Sequence, residues 1–333
     1  MKTYIVTHRD DVDGIMSGSL LRRLYGPVTE LIFCSYPEQE RVFRQLADLA
    51  QGAQIYIADI CAKDYPGMNG GKSVLEQLAA SAARLEWYDH HSGTRDIMTL
   101  FKGHGHTVIM GDKQKICSAG LINSRHLLAD RYCELLARIA QAHDNLSSSN
   151  ASNRFAKIGN SLQKIISYFN FKKDIKGLIE LVDLIAHDAS WLLAKDVLCP
   201  YLEGIIAAAE EQMGEAIERA YADIQKNLVA FKIKGKRFIV ACGNTISSEK
   251  EVLIRLCQQY PEADGVMLYS LPPTNHALFY KGVKSDFNAE KFCEFMGGGG
   301  REGNGGFTPY IKYEQNNLGS LVYYITIKLG HFL

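Results

Sequence analysis

Along the first 150 residues, short apolar runs alternate with longer segments whose apolar groups recur every three or four positions. The runs are YIVT, ELIFCSY, QIYIADI and LEWY; the periodic segments include GIMSGSLLRRLYG, RVFRQLADLA and KSVLEQLAASAARL. Runs apolar on both faces predict buried parallel strands, and the three-to-four spacing predicts helices between them. The alternation therefore predicts a parallel α/β sheet with right-handed crossovers. Pro66-Gly67-Met68-Asn69-Gly70-Gly71 predicts a loop between the third strand and the helix that follows.

The pattern changes after residue 150. SLQKIISYF, IKGLIELVDLIAH and YLEGIIAAAEEQMGEAIERAYADIQKNL all carry the helical period. The last predicts a stiff helical connector, with Gly204 and Gly214 as soft points. From 231 onward mixed patterning returns. FKIKGKRFIVACG, GVMLYSL, HALFYKGV and LVYYITIKL predict strands, and EKEVLIRLCQQY and NAEKFCEFM predict helices. The expected fold class is α/β: an N-terminal parallel-sheet domain over 1–150, a helical extension and connector over 151–230, and a smaller C-terminal α/β domain over 231–333.

Composition agrees with this picture. A chain of 333 residues exceeds the usual single core. Hydrophobic residues make up 47% and charged residues 22%, which excludes long disorder. Lysine plus arginine equals aspartate plus glutamate at 37 each, so no general nucleic-acid coat is encoded. Short RNA or DNA, or a nucleotide, suits such a balance better than a long duplex. A homodimer is the candidate assembly. None of the eight cysteines forms a CxxC pair, and most lie in apolar patterns, as buried thiols in a reducing compartment do. Met1-Lys2-Thr3-Tyr4 runs straight into the first strand, no apolar stretch reaches 18 residues, and a cytoplasmic location without membrane contact is expected.

The chemistry lies where the N-terminal runs end. YIV precedes His8-Arg9-Asp10-Asp11-Val12-Asp13-Gly14, QIYIA precedes Asp59, and LEWY precedes Asp89-His90-His91. In an open parallel sheet, ligands gather at the carboxyl ends of the strands. Carboxylates with a few imidazoles suit divalent cations such as Mn²⁺. Asp11 and Asp13 stand two apart where Gly14 lets the chain turn, so they can face two neighbouring ions. Two such ions about 3.5–4 Å apart clamp a phosphoryl transfer. The plainer reading of DxDG is a helix N-cap.

THRDDVDG, the strand-end Asp59 in YIADI, YDHH and the later His143-Asp144 resemble, in order, the four motifs of the DHH phosphoesterases. That superfamily includes RecJ-like exonucleases, nanoRNases, cyclic-dinucleotide phosphodiesterases, family II pyrophosphatases and exopolyphosphatases. Gly297-Gly298-Gly299-Gly300-Arg301-Glu302-Gly303-Asn304-Gly305-Gly306-Phe307 is similar to the GGGHxxAAGF signature of the DHH-associated domain, with Arg301 in place of the histidine. Physically, such a glycine run admits close backbone approach and can form an anion nest.

The resemblance implies two divalent ions, Mn²⁺ in preference. His8 and Asp11 would hold one, Asp13, His90 and Asp144 the other, with Asp59 bridging. His91 would meet the phosphate, and Asp89 would orient a ligand histidine. Arg301, Gly298, Gly299, Gly300, Lys284 and Ser285 would contact substrate. The implied activity is hydrolysis of short oligonucleotides or linear dinucleotides by a two-metal-activated water. The alternatives are pyrophosphatase or exopolyphosphatase activity, or cyclic-dinucleotide hydrolysis. Asp10 is expected to be solvated, His143 to pack or to support a neighbouring ligand, His104 and His106 to sit in an exposed loop, and Asp188 of His187-Asp188 to end a helix or lie on the surface.

Overall fold

Five of the apolar runs form one parallel sheet. The computed structural model describes residues 1–67, 71–111, 116–126, 129–144, 154–187, 200–244, 249–271, 275–301, 303–309 and 318–333. Strands β1 (Thr3–His8), β2 (Glu30–Cys34), β3 (Gln54–Ala58), β4 (Arg84–Asp89) and β5 (Thr107–Met110) lie in the order β2-β1-β3-β4-β5. Every neighbouring pair is parallel. The order in which strands are added reverses between β1 and β3, and a doubly wound sheet opens its ligand crevice at that switch point.

Both sheet faces are covered, which explains why the runs are apolar without alternation. Ile5, Tyr56 and Tyr88 belong to one core, while Tyr4, Val6, Ile55, Ile57 and Trp87 belong to another. The second core receives α2 (Gln39–Leu49), α3 (Val74–Ser81) and α4 (Met98–Gly103). The first receives α1 (Val12–Tyr25), which is buried at every residue from Val12 to Arg22. Outside α1 lie α5 (Ser118–His126), α6 (Arg131–Asp144), α7 (Arg154–Lys172) and α8 (Ile175–His187). Arg22 Nε donates to Asp183 Oδ1 at 2.8 Å, locking α1 to α8.

The chain divides into two compact units, Met1–Ala207 and Ala208–Leu333. Helices expected between 151 and 230 thus fall on both sides of the division, and α9 (Pro200–Gln225) runs across it. The second unit has a mixed sheet of β6 (Leu228–Ile233), β7 (Lys236–Gly243), β8 (Gly265–Ser270), β9 (His276–Lys281), β10 (Gly299–Arg301) and β11 (Asn304–Phe307). Its order is β10-β11-β9-β8-β7-β6; β7 and β8 are parallel and the other pairs antiparallel. The remaining helices are α10 (Glu249–Gln259), α11 (Ala289–Phe295) and α12 (Leu318–Phe332).

Two expectations need correction. FKIKGKRFIVACG is a hairpin rather than one strand, turned by Lys234 and Gly235 at φ 44° and 83°. Two successive residues at positive φ match the twist of the flanking strands. LVYYITIKL is not a strand but part of α12. Its β-branched and aromatic residues suit a strand, yet Leu321, Ile325 and Leu329 recur at four and are fully buried. Tertiary burial of that stripe overrides local propensity. The glycine-rich run, for which the sequence predicts no regular element, contains a strand pair: Gly299 faces Gly306, Gly300 faces Gly305, and Arg301 faces Asn304.

Candidate metal site

Three strands end and one helix begins together at the carboxyl edge of the first sheet. His8 closes β1, Asp59 follows β3, Asp89 closes β4 with His90 and His91 next, and Asp11 caps α1. Among the described residues, two groups of side chains are close enough to hold a metal ion: His8, Asp11 and Asp59, and Asp59, Asp89, His90 and His91. Asp59 is common to both.

Local geometry explains each placement. A Cβ at Gly14 would lie 2.1 Å from the His8 carbonyl oxygen, so only glycine lets α1 start this close to β1. Asp11 Oδ1 accepts the Gly14 N–H at 2.9 Å as the helix N-cap, and Oδ2 lies 3.1 Å from His8 Nδ1. The capping reading of DxDG is therefore correct for Asp11, and the same carboxylate still reaches the cluster. Asp59 adopts φ 58°, a left-handed conformation that aspartate tolerates better than most residues. Its Oδ2 lies 3.7 Å from His8 Nδ1 and its Oδ1 3.4 Å from His90 Nε2.

Asp13 has a second duty that its spacing did not announce. Its two oxygens accept the Ser118 and Ala119 N–H groups at 2.8 and 2.9 Å, capping the start of α5. Asp13 Oδ2 still comes within 4.0 Å of His90 Nε2. Asp144, at the end of α6, places Oδ2 3.7 Å from His90 Nδ1. Both residues border the cluster without joining either metal-compatible group.

Asp89 is fully buried and acts on its neighbours. Oδ1 accepts the His90 N–H at 2.8 Å and lies 2.7 Å from His91 Nδ1; Thr94 donates its hydroxyl to Oδ2. Burial pushes the Asp89 carboxyl up, but His91, Thr94 and His90 outweigh it and hold the group below the usual carboxylate range. An ionised Asp89 fixes the proton of His91 on Nδ1 and leaves Nε2 for another partner.

The electrostatics ask for positive charge. Burial, then the carboxylates of Asp11 and Asp13, push Asp59 well above its ordinary value. Burial lowers His8, yet Asp11, Asp10 and Asp59 together raise it well above the usual imidazole value. Burial raises Asp11, and the charge of His8 more than reverses that. His8 Nε2, Asp59 Oδ2 and His90 Nδ1 are buried without a hydrogen bond among the described residues. Such orphans are rare in a folded interior. Mixed imidazole and carboxylate donors fit a borderline or hard divalent cation.

Sequence reasoning missed three neighbours. Ser118 Oγ donates to Asp59 Oδ1 at 3.3 Å, Thr94 holds Asp89, and the Tyr36 ring lies 5.0 Å from His8 and 6.4 Å from His91. None belongs to a charged motif, so only the fold reveals them. Asp10 is exposed, as expected, and a Cβ at Gly159 would meet that of His143 at 2.8 Å, so His143 packs against α7. His104 is exposed, but His106 is not: it is 7% exposed, and its Nε2 donates to Ala79 O at 2.7 Å. His187 ends α8 on the surface, and Asp188 lies outside the described residues.

In the second unit, packing accounts for most of the glycines. A Cβ at Gly298 would meet Gly306 O at 2.0 Å, at Gly300 Asn304 O at 2.3 Å, at Gly305 Cys293 Sγ at 2.8 Å, and at Gly306 His276 Nε2 at 2.8 Å. Gly299 alone of the three substrate candidates meets nothing within 4 Å among the described residues. Lys284 is exposed, whereas Ser285 Oγ donates to Asp264 Oδ1 at 2.8 Å and accepts the Phe287 N–H at 3.1 Å. Arg301 closes β10.

No family profile matches the sequence, and no curated protein is significantly similar to it. Solved structures are. RecJ from Thermus thermophilus, in complex with Mn²⁺, shares 13% identity over 100% of this chain and 52% of its own, with a TM-score of 0.57. The chain has a RecJ-like fold. A second exonuclease RecJ, bound to manganese, gives 13% identity, 98% and 89% coverage and a TM-score of 0.53. An exopolyphosphatase-related protein from Bacteroides fragilis gives 13%, 99% and 93%, and 0.51. No helix among the described residues is long and apolar enough to cross a membrane.

Proposed function

We propose that the protein is a divalent-metal-dependent phosphodiesterase acting on short oligonucleotides or linear dinucleotides. The observation that carries this reading is the convergence of His8, Asp11, Asp59 and His90, with three ring or carboxylate atoms buried without a hydrogen-bond partner. His8, Asp11 and Asp59 would hold one cation. Asp59 and His90 would hold the second, with Asp13 and Asp144 beside them. Mn²⁺ is the favoured ion because imidazole donors suit it better than Mg²⁺. Bound cations at such a site supply Lewis acidity toward a phosphate oxygen and the attacking water.

The chain's own residues do the rest. Asp89 holds His91 Nδ1, so Nε2 is the ring atom that meets substrate. With a proton on Nε2, His91 donates to a non-bridging phosphate oxygen or to the departing oxygen. Ser118 keeps the Asp59 carboxylate in one orientation. Arg301 and Lys284 in the second unit are the candidate cations for a further phosphate, and Gly299 the candidate point of close approach. Arginine grips phosphate with two parallel hydrogen bonds, which suits the exchange for histidine.

The test is a substrate panel in Mn²⁺: RNA and DNA of two to seven nucleotides, cyclic dinucleotides, pyrophosphate and polyphosphate, with calorimetric counting of bound Mn²⁺. The expected result is two ions per chain and a kcat/KM highest for dinucleotides, falling as the oligonucleotide lengthens. Exclusive turnover of pyrophosphate or polyphosphate refutes the proposal.

A further inference from the structure

One exposed aromatic side chain stands beside the histidines of the candidate metal site. Tyr36 is 42% exposed, and its ring lies against both His8 and His91, with centroids 5.0 and 6.4 Å away. An exposed aromatic ring between two histidines does nothing for the hydrophobic core, since burial is what makes such a ring stabilising.

The ring is nevertheless held still. Tyr36 opens a short 3₁₀ turn over Tyr36–Glu38 directly after β2. Glu38 pins that turn: its carboxylate takes Arg9 Nη1 at 3.0 Å and the Ser35 hydroxyl at 3.3 Å. At the far end of the side chain, the Tyr36 hydroxyl accepts the Cys61 N–H at 3.4 Å, two residues beyond Asp59. A partly exposed aromatic ring anchored at its backbone and at its hydroxyl, which burial pushes well above its ordinary value, is preorganised for a flat, apolar partner. Nucleobases stack on such faces, and every base offers one, so the contact tolerates any sequence. Inorganic pyrophosphate and polyphosphate have no face to offer.

We infer that Tyr36 is the specificity-determining stacking residue of this site, seating the base next to the scissile phosphate and selecting nucleotides over inorganic phosphate chains. The inference rests on the proposed phosphodiesterase reading and names the substrate class of that same site. His91 then meets the phosphate while Tyr36 carries the base, and the two rings meet edge-to-face at 82°.

The test compares binding of adenosine 5′-monophosphate and ribose 5-phosphate, which differ only in the base, to the Mn²⁺-loaded full chain. Wild type should prefer the nucleotide. Tyr36→Ala should bind the nucleotide about 10- to 100-fold more weakly, with ribose 5-phosphate and Mn²⁺ affinities unchanged; Tyr36→Phe should restore the preference. In turnover, Tyr36→Ala should raise KM for a dinucleotide more than it lowers kcat. Equal wild-type affinity for the two probes overturns the inference. So does an equal loss for both probes in Tyr36→Ala, or a parallel loss of Mn²⁺, since either makes the ring a prop for His8. Should the wild type hydrolyse no nucleotide, the proposed function falls, and the base preference still decides the role of Tyr36. Binding of neither probe counts against both.

Discussion

The carboxyl edge of the first sheet and the glycine hairpin of the second unit look alike as sequence: each is a short, dense motif of unusual composition. As structures they differ in kind. At the sheet edge, side chains make the cluster, and their placement leaves buried polar atoms without a hydrogen bond among the described residues. In the hairpin, the missing side chains matter, and most are missing because Cys293, His276 and the opposite strand leave no room. A motif of chemically committed residues points outward to a ligand. A motif of glycines points first to its own neighbours, and among the described residues of the run Gly299 and Gly303 stand apart from that explanation.

The largest effect expected is at Asp59, where the two clusters meet. Asp59→Asn keeps a residue that tolerates the left-handed backbone and removes the charge. It should lower turnover about 10³-fold or more and reduce the number of Mn²⁺ ions counted by calorimetry. Unchanged metal stoichiometry would detach Asp59 from both ions. Next comes Asp89→Asn, which leaves the carboxamide in place but no longer orders His91. Activity should fall about 10- to 100-fold with the melting temperature little altered; a loss confined to stability would make Asp89 a packing residue.

The hairpin gives a smaller and cleaner contrast. Gly300→Ala forces a Cβ against Asn304 O and should cost about 1–3 kcal/mol by denaturant unfolding. Gly299→Ala should be neutral or slightly stabilising, so any rise in KM it causes belongs to a ligand. If both variants lose stability equally, the open position at Gly299 is filled by the chain itself.

The smallest effect lies away from both regions. Burial raises the Glu86 carboxyl, but Tyr88 and Arg84 outweigh it and hold the group below its ordinary value. A depressed carboxylate stabilises the fold above its unfolded value, near about 4.3, and that share is lost as pH falls through the folded value. Melting temperature should therefore drop more steeply below about pH 4 for wild type than for Glu86→Gln. Parallel profiles would remove Glu86 from the acid response.

How much of this was written in the chain follows from the same contrast. The parallel sheet was legible because both of its faces are buried, which makes its strands continuous apolar runs. The convergence of His8, Asp59 and His90 was legible because strand ends of a parallel sheet restrict place. Asp13 as the cap of α5 was not, since its partners Ser118 and Ala119 lie more than a hundred residues away and offer only backbone N–H groups. Tyr36 and Thr94 were hidden because an aromatic ring or a hydroxyl has many ordinary uses. Helix α12 was misread because its stripe of Leu321, Ile325 and Leu329 runs through residues that favour strands.

The burial of α1 also sets an order of events during synthesis. Its Arg22 pairs with Asp183, 161 residues further along, and its apolar surface is completed by α6, α7 and α8. At about 5–20 residues per second, a ribosome needs on the order of ten to thirty seconds to deliver that cover. Until then the helix bearing Asp11 and Asp13 keeps an apolar flank facing the medium. The residues of α6, α7 and α8 that cover this flank are thus among the last parts of the first core to be delivered, although the His8, Asp59 and His90 cluster is encoded before residue 92.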